Sequence, residues 1–239
     1  MIGIGTNITQ LQPPKTAGAY NFSDPLTYAN GNLQDHTPWQ YQFSDCPTLI
    51  GFMTSNHFAM QPDTVGSDGS AIMLGNAPIA FDWTVSCRFN SFVNTNQGRW
   101  CFGLVTYVNP GSVVSNVLGV HIRRVVNAGA VTLTAGGGSG WGAGVCGGSE
   151  NNLPDNTVAA GDLLTIKTIR DGVTDNFIVD FFKNGVANGT GIGLGGGAGC
   201  IGGRPCLYSI STGGTNGILN WNDFSARRGR SANRRLMVI

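Results

Sequence analysis

Thirteen carboxylate side chains could move a proton, and all but Glu150 are aspartates. Hydrolysis of a glycosidic bond needs two carboxyls facing one another across roughly 5–10 Å, one of them with a raised pKa. On a β-strand such a pair would fall at i and i+2 or i and i+4, because side chains alternate between faces. No expected strand presents two acids in that way. Asp180 stands alone in FIVDFF, and Asp175, five positions earlier, points to the opposite face. Glu150 lies in the turn-like stretch GGSENNLPDN. A serine nucleophile would need a GxSxG elbow with a histidine to serve it, and His36, His57 and His121 have no such partner in the sequence. The expectation is a chain without catalytic activity.

Metal and cofactor chemistry fare no better. The six cysteines (Cys46, Cys87, Cys101, Cys146, Cys200 and Cys206) show no CxxC pair and no neighbouring histidine cluster. They read as small buried hydrophobes. Two runs, GGGSGWGAGVCGG (136–148) and GIGLGGGAGCIGG (191–203), each contain eight glycines and can be fitted to GxGxxG. A dinucleotide site needs that motif between a strand and a helix, with an acidic residue further on, and no helical pattern follows either run. The expectation is no cofactor and no metal, and glycine-rich loops at one end of the fold. Trp141, inside the first run, is either a contact anchor for a sugar or protein or a core residue.

The elements that must hold these groups are strands. Charged residues are 11% of the chain and there are 37 glycines in 239 residues, a balance that suits short strands and many turns rather than helices. In FDWTVSCRF, Trp83, Val85, Cys87 and Phe89 share one face, and Asp82, Thr84, Ser86 and Arg88 the other. Further strands follow at RWCFGLVTYV, NVLGVHIRRVV, AVTLTA, LLTIKTIRDG, DNFIVDFFKNG, PCLYSIS and GILNWNDFSAR. Asp171-Gly172 is expected as the tight turn of one hairpin, and Asn184-Gly185 as a second. Many short strands at regular spacing predict a sandwich or jelly roll. No window of the chain is apolar for 18 residues, so no membrane span is expected, and MIGIGTNITQLQPPK lacks a signal peptide's basic start and apolar core.

The order of these strands, with GDLLTIKTIRDGVTDNFIVDFFKNGVA, WNDFSAR and the opening FSDPLTYANGNLQDHTPWQ, resembles the concanavalin A-like lectin/glucanase jelly rolls, laminin G-like domains among them. In the opening segment the matching residues are Asp24, Gly31, Leu33 and Trp39. The resemblance spans roughly residues 20–227. It implies an all-β sandwich of two antiparallel sheets with the first and last strands paired. It also implies glycan binding on loops or on a sheet face. Arg88, His121, Arg123, Lys167, Asp180 and Phe182 are expected to share one such outer face, with Trp141 as a further contact.

The chain is divided as an arm (1–19), a jelly-roll domain (20–226) and a tail (227–239). Residues 1–226 carry nine Lys+Arg against 13 Asp+Glu, whereas the tail RRGRSANRRLMVI carries five arginines. A basic tail on an acidic body does not read as a nucleic-acid-binding face. Arg227, Arg228, Arg230, Arg234 and Arg235 are expected to pair with carboxylates of a partner, and Leu236, Met237, Val238 and Ile239 to fill an apolar pocket. A fold usually met outside the cell, without a secretion signal, suggests a bacteriophage virion component made in the host cytoplasm. The expected role is a capsid decoration (cement) protein on the virion surface, bound to the major capsid protein or to neighbouring copies of itself. The alternative is a carbohydrate-binding module for adsorption to glycans.

Overall fold

Alternating apolar and polar residues pair into ladders wherever the apolar set can be buried on one side. The computed structural model describes residues 19–28, 31–44, 51–54, 57–60, 69–109, 112–124, 126, 128–139, 151–173, 176–195, 199–210 and 217–229. In chain order its strands are β1 (Tyr20–Asp24), β2 (Gly31–Asn32), β3 (Trp39–Ser44), β4 (Gly51–Thr54), β5 (His57–Met60), β6 (Gly69–Leu74), β7 (Thr84–Phe92), β8 (Gly98–Asn109) and β9 (Ser112–Arg124). They continue with β10 (Val131–Ser139), β11 (Asn151–Asn152), β12 (Leu163–Arg170), β13 (Phe177–Lys183), β14 (Val186–Ala187), β15 (Ile192–Leu194), β16 (Gly202–Ile210) and β17 (Leu219–Arg228). Among the described residues the sole helical segment is a 3-10 turn at Leu33–Asp35.

Two antiparallel sheets result. One has the order β14-β13-β12-β7-β17-β5-β4-β2, with β1 also along β17 and β15 also along β13. The other has seven strands in the order β11-β10-β9-β8-β16-β6-β3. The first and last strands pair, with Ser23 opposite Ser225. The core lies between the sheets. Trp83, Val85, Cys87 and Phe89 point into it, as their alternation requires, and so do Phe177, Val179 and Phe181. The rings of Phe102 on β8 and Trp221 on β17 meet edge to face at 5.7 Å, which ties one sheet to the other. The fold is an all-β jelly-roll sandwich, as the strand pattern predicts.

Three details differ from the sequence reading. Asp171-Gly172 is not a two-residue turn. Arg170 pairs with Phe177, so the connection runs from 171 to 176, closed by the Asp171 amide donating to the Asn176 carbonyl at 3.0 Å. Asn184-Gly185 is the tight turn of its hairpin, with φ of 52° and 80° at its two residues. The glycine-rich runs are not wholly loop. Residues 136–139 continue β10, and 192–194 form β15 against β13. Glycine is required at Gly136 because a Cβ there would come within 2.9 Å of the His121 ring, so the bare backbone makes room for the imidazole. The domain boundary also moves. Arg227 and Arg228 belong to β17, where they pair with Asn21 and Tyr20 of β1, and Arg228 Nε donates to Asp82 Oδ1 at 2.8 Å. The first two arginines of the basic segment therefore complete the sandwich rather than leave it.

Candidate functional site

The centre of the larger sheet's outer face is polar because buried residues of β7, β12 and β17 alternate there with hydrophilic ones. Thr84, Ser86 and Arg88 of β7 point outward between Val85 and Cys87, which are fully buried. Thr165 and Lys167 of β12, and Ser225 and Arg227 of β17, do the same. A groove of about 570 Å³ lies over this face, bounded by Ser23, Asp24 and Pro25 on one side and Leu163 on the other.

A bulge shapes its floor. Trp221 and Phe224 are both fully buried although they stand three apart in sequence, so one extra residue must be accommodated. The register of β17 on β7 shifts between Asn222 and Ser225, and Asp223 adopts the left-handed conformation at φ 50°. This places its carboxylate against Arg88, whose Nε donates to Asp223 Oδ2 at 2.8 Å. Arg88 Nη1 donates to the Gly161 carbonyl at 2.7 Å, so the guanidinium is held from two sides. The pair is part-exposed and contributes at most about 1 kcal/mol to stability. Its effect is geometric. It fixes a donor and an acceptor at the groove's edge. Nearby, the hydroxyls of Ser86 and Thr165 meet at 2.8 Å.

The second carboxylate in the lining is Asp24, and it is a structural acceptor. It takes the Leu26 amide at 2.7 Å, the Tyr28 hydroxyl at 2.6 Å and the Trp39 indole N–H at 2.7 Å. Asp24 and Trp39 of the opening motif are thus joined directly. Sequence spacing could not bring Asp24 and Asp223 together, because they are neighbours through the pairing of the first and last strands. The readable signal for Asp223 was the break in alternation between Trp221 and Phe224.

The residues expected to share one outer face are divided between two. Arg88, Lys167, Asp180 and Phe182 lie on the outer face of the larger sheet, where the Lys167 ammonium sits 4.4 Å above the Phe182 ring. His121 and Arg123 belong to β9, which pairs with β8 and β10 in the seven-stranded sheet. The alternation that points them away from the core therefore points them to the opposite side of the sandwich. His121 is fully buried there, beside a second apolar cluster of Met73, Cys101, Val105, Tyr107, Val117, Cys206 and Tyr208. Trp141, Arg230, Arg234, Arg235, Leu236, Met237, Val238 and Ile239 lie outside the described residues.

A further polar cluster anchors the segment before β12. Lys183 Nζ donates to Asp155 Oδ2 at 2.8 Å and to the Thr157 carbonyl at 3.0 Å, and lies 3.5 Å from Asp162 Oδ2. Hydrogen bonds from Lys183 and then from Thr157 pull the Asp155 carboxyl down to about 2. Burial works to raise the pKa of Asp162, but the Ala159 amide, Asn184 and Lys183 together outweigh it and hold that pKa below its ordinary value. Both acids are depressed in the folded state, so their contribution to stability is complete above their ordinary pKa and is lost as pH falls. Wild type is expected to lose stability between about pH 4 and pH 2 in urea unfolding. Lys183→Met removes the shared partner, so its stability deficit relative to wild type should shrink across that window. A deficit that stays constant from pH 6 to pH 2 would count against the clamp.

With its paired terminal strands and two antiparallel sheets, the chain has the concanavalin A-like jelly-roll fold. No family model matches the sequence, and no curated protein does. Solved structures do. The structure of alginate lyase Aly36B superposes with a TM-score of 0.53 at 11% identity, over 87% of this chain and 96% of that one. The catalytic domain of an endo-1,3-β-glucanase (laminarinase) from Thermotoga petrophila RKU-1 gives 0.55 at 10% identity, over 87% and 97%. SCLam, a non-specific endo-β-1,3(4)-glucanase from family GH16, gives 0.55 at 7% identity, over 89% and 92%.

These comparisons correct the expectation of a chain without catalytic activity. All three structures of this fold are enzymes named for polysaccharides, and one is a lyase. The exclusion rested on missing paired carboxylates and a missing serine elbow, which are requirements of hydrolysis. A lyase breaks its bond by elimination and needs neither.

Proposed function

We propose that this chain binds a glycan in the groove on the outer face of its larger sheet. The observation that carries this reading is the groove itself. About 570 Å³ is lined by serine and threonine hydroxyls, two aspartates and two arginines, all borne on paired strands. Sugar hydroxyls donate and accept at once, and a lining that offers both kinds of group from rigid elements suits them. The polysaccharide-named enzymes of the same fold support the class of ligand. The virion setting rests on the sequence alone, on the composition and the basic tail, and the groove does not depend on it.

Binding to a panel of oligosaccharides, with the mass of each sugar followed to detect cleavage, tests the proposal. Ser86→Val and Ser225→Val each replace an outward hydroxyl with methyl groups that can neither donate nor accept a hydrogen bond. Each is expected to weaken the best-bound sugar by roughly tenfold, the worth of a buried hydrogen bond in a binding site. If both variants bind that sugar as wild type does, the groove is not the site.

A further inference from the structure

The register of the strands across this face carries the reading further. Ser23, Ser225, Ser86, Thr165 and Phe182 are successive Cα partners on β1, β17, β7, β12 and β13. They form one row at right angles to the strands, four hydroxyls ending in an aromatic ring. Two residues along, the row Asn21, Arg227, Thr84, Lys167 and Asp180 runs parallel to it. Neighbouring strands are about 4.8 Å apart, so each row spans about 19 Å, far longer than a single sugar.

The charges on the second row are placed unevenly. Arg227 and Lys167 are exposed and lie two strands apart, about 10 Å, with the small Thr84 between them. Arg88, the other cation of this face, is already bound to Asp223. Asp180 stands at the far end, where one of its oxygens accepts the Gly191 amide at 2.8 Å. Acidic groups are therefore attracted over β17 and β12 and repelled over β13, where the Phe182 ring lies with the Lys167 ammonium over one of its faces and the other face left for a sugar.

We propose that this face takes a linear, carboxylate-bearing glycan laid across the strands. Its hydroxyls meet the serine and threonine row, its carboxylates on alternate sugars meet Arg227 and Lys167, and one end lies over Phe182. The inference rests on the groove reading and adds the ligand's charge and length. Arg227 can pair with a carboxylate through two parallel N–H donors, whereas Lys167 acts as a point charge.

Calorimetric titration of the full chain with alginate oligomers from disaccharide to hexasaccharide, and with neutral cello-oligosaccharides of the same lengths, tests it. Alginate affinity should rise with length up to the span of the row, exceed that for the neutral sugars at low salt, and approach it at high salt. Arg227→Gln and Lys167→Gln should each lower alginate affinity about tenfold and flatten its salt dependence. If neutral oligomers bind as tightly as alginate at low salt and weaken in Ser86→Val, the charge assignment is overturned and the groove reading stands. If neither these oligomers nor any sugar of the panel binds, both fall.

Discussion

Asp24→Ala is expected to lower the unfolding free energy by about 3–5 kcal/mol, because three donors converge on one carboxylate and each left without a partner costs about 1–3 kcal/mol. The side chain is 3% exposed and accepts the Leu26 amide, the Tyr28 hydroxyl and the Trp39 indole N–H. Tyr28 is part-exposed, so water can replace the lost acceptor there. Leu26 and Trp39 are buried and have no such recourse. The loss also propagates through packing. The Trp39 ring meets Phe224 at 5.0 Å and Phe22 at 5.8 Å, so a displaced indole loosens the seam between the first and last strands. Leu26 adds to this, since it holds a φ of 55°, an unfavourable value for a branched side chain that the hydrogen bond to Asp24 helps maintain. Asp24→Asn keeps one acceptor oxygen and should fall between wild type and alanine. Urea unfolding followed by tryptophan fluorescence measures all three. An alanine variant with the wild-type midpoint and slope would show that the donors find other partners.

Asp24 also marks how far the fold could be read from residue types. Its partner Trp39 was legible because the opening motif sets both in one local segment. The buried faces of β7 and β13 were legible because alternation is a property of a single strand. What alternation cannot say is which sheet a strand joins. His121 and Arg123 point away from the core as expected, yet β9 pairs with β8 and β10, so they face the opposite side from Arg88 and Lys167. The groove was illegible for the same reason. Ser23, Ser86 and Ser225 are ordinary outward serines until pairing sets them in one row. Arg227 read as tail because its charge matched the residues after it, although backbone pairing with Asn21 and Thr84 places it in the sheet.

Gly119→Ala and Gly103→Ala are each expected to cost roughly 3 kcal/mol or more, at the upper end of the penalty for forcing a methyl into a filled site. The two glycines are Cα partners on β8 and β9, the longest strands of the seven-stranded sheet. A Cβ on Gly119 would run into the carbonyl oxygen of Phe102, and one on Gly103 into the carbonyl oxygen of Leu118. Both obstacles are backbone, so no rotamer change relieves them. The strands would have to part where Phe102, Leu104, Leu118 and Val120 fill the core. The requirement is for close approach, since neither glycine has a positive φ. Gly172→Ala is the matching control. A Cβ there meets nothing within 4 Å, and the expected change is within about 0.5 kcal/mol. Urea midpoints of the three variants, with amide exchange across β8 and β9, separate the cases. Alanine at 119 that is as stable as alanine at 172 would mean that the two strands can separate locally without disturbing the core. Marked loss of protection on both strands in Gly119→Ala, with β12 and β13 unaffected, would locate the damage at the glycine pair.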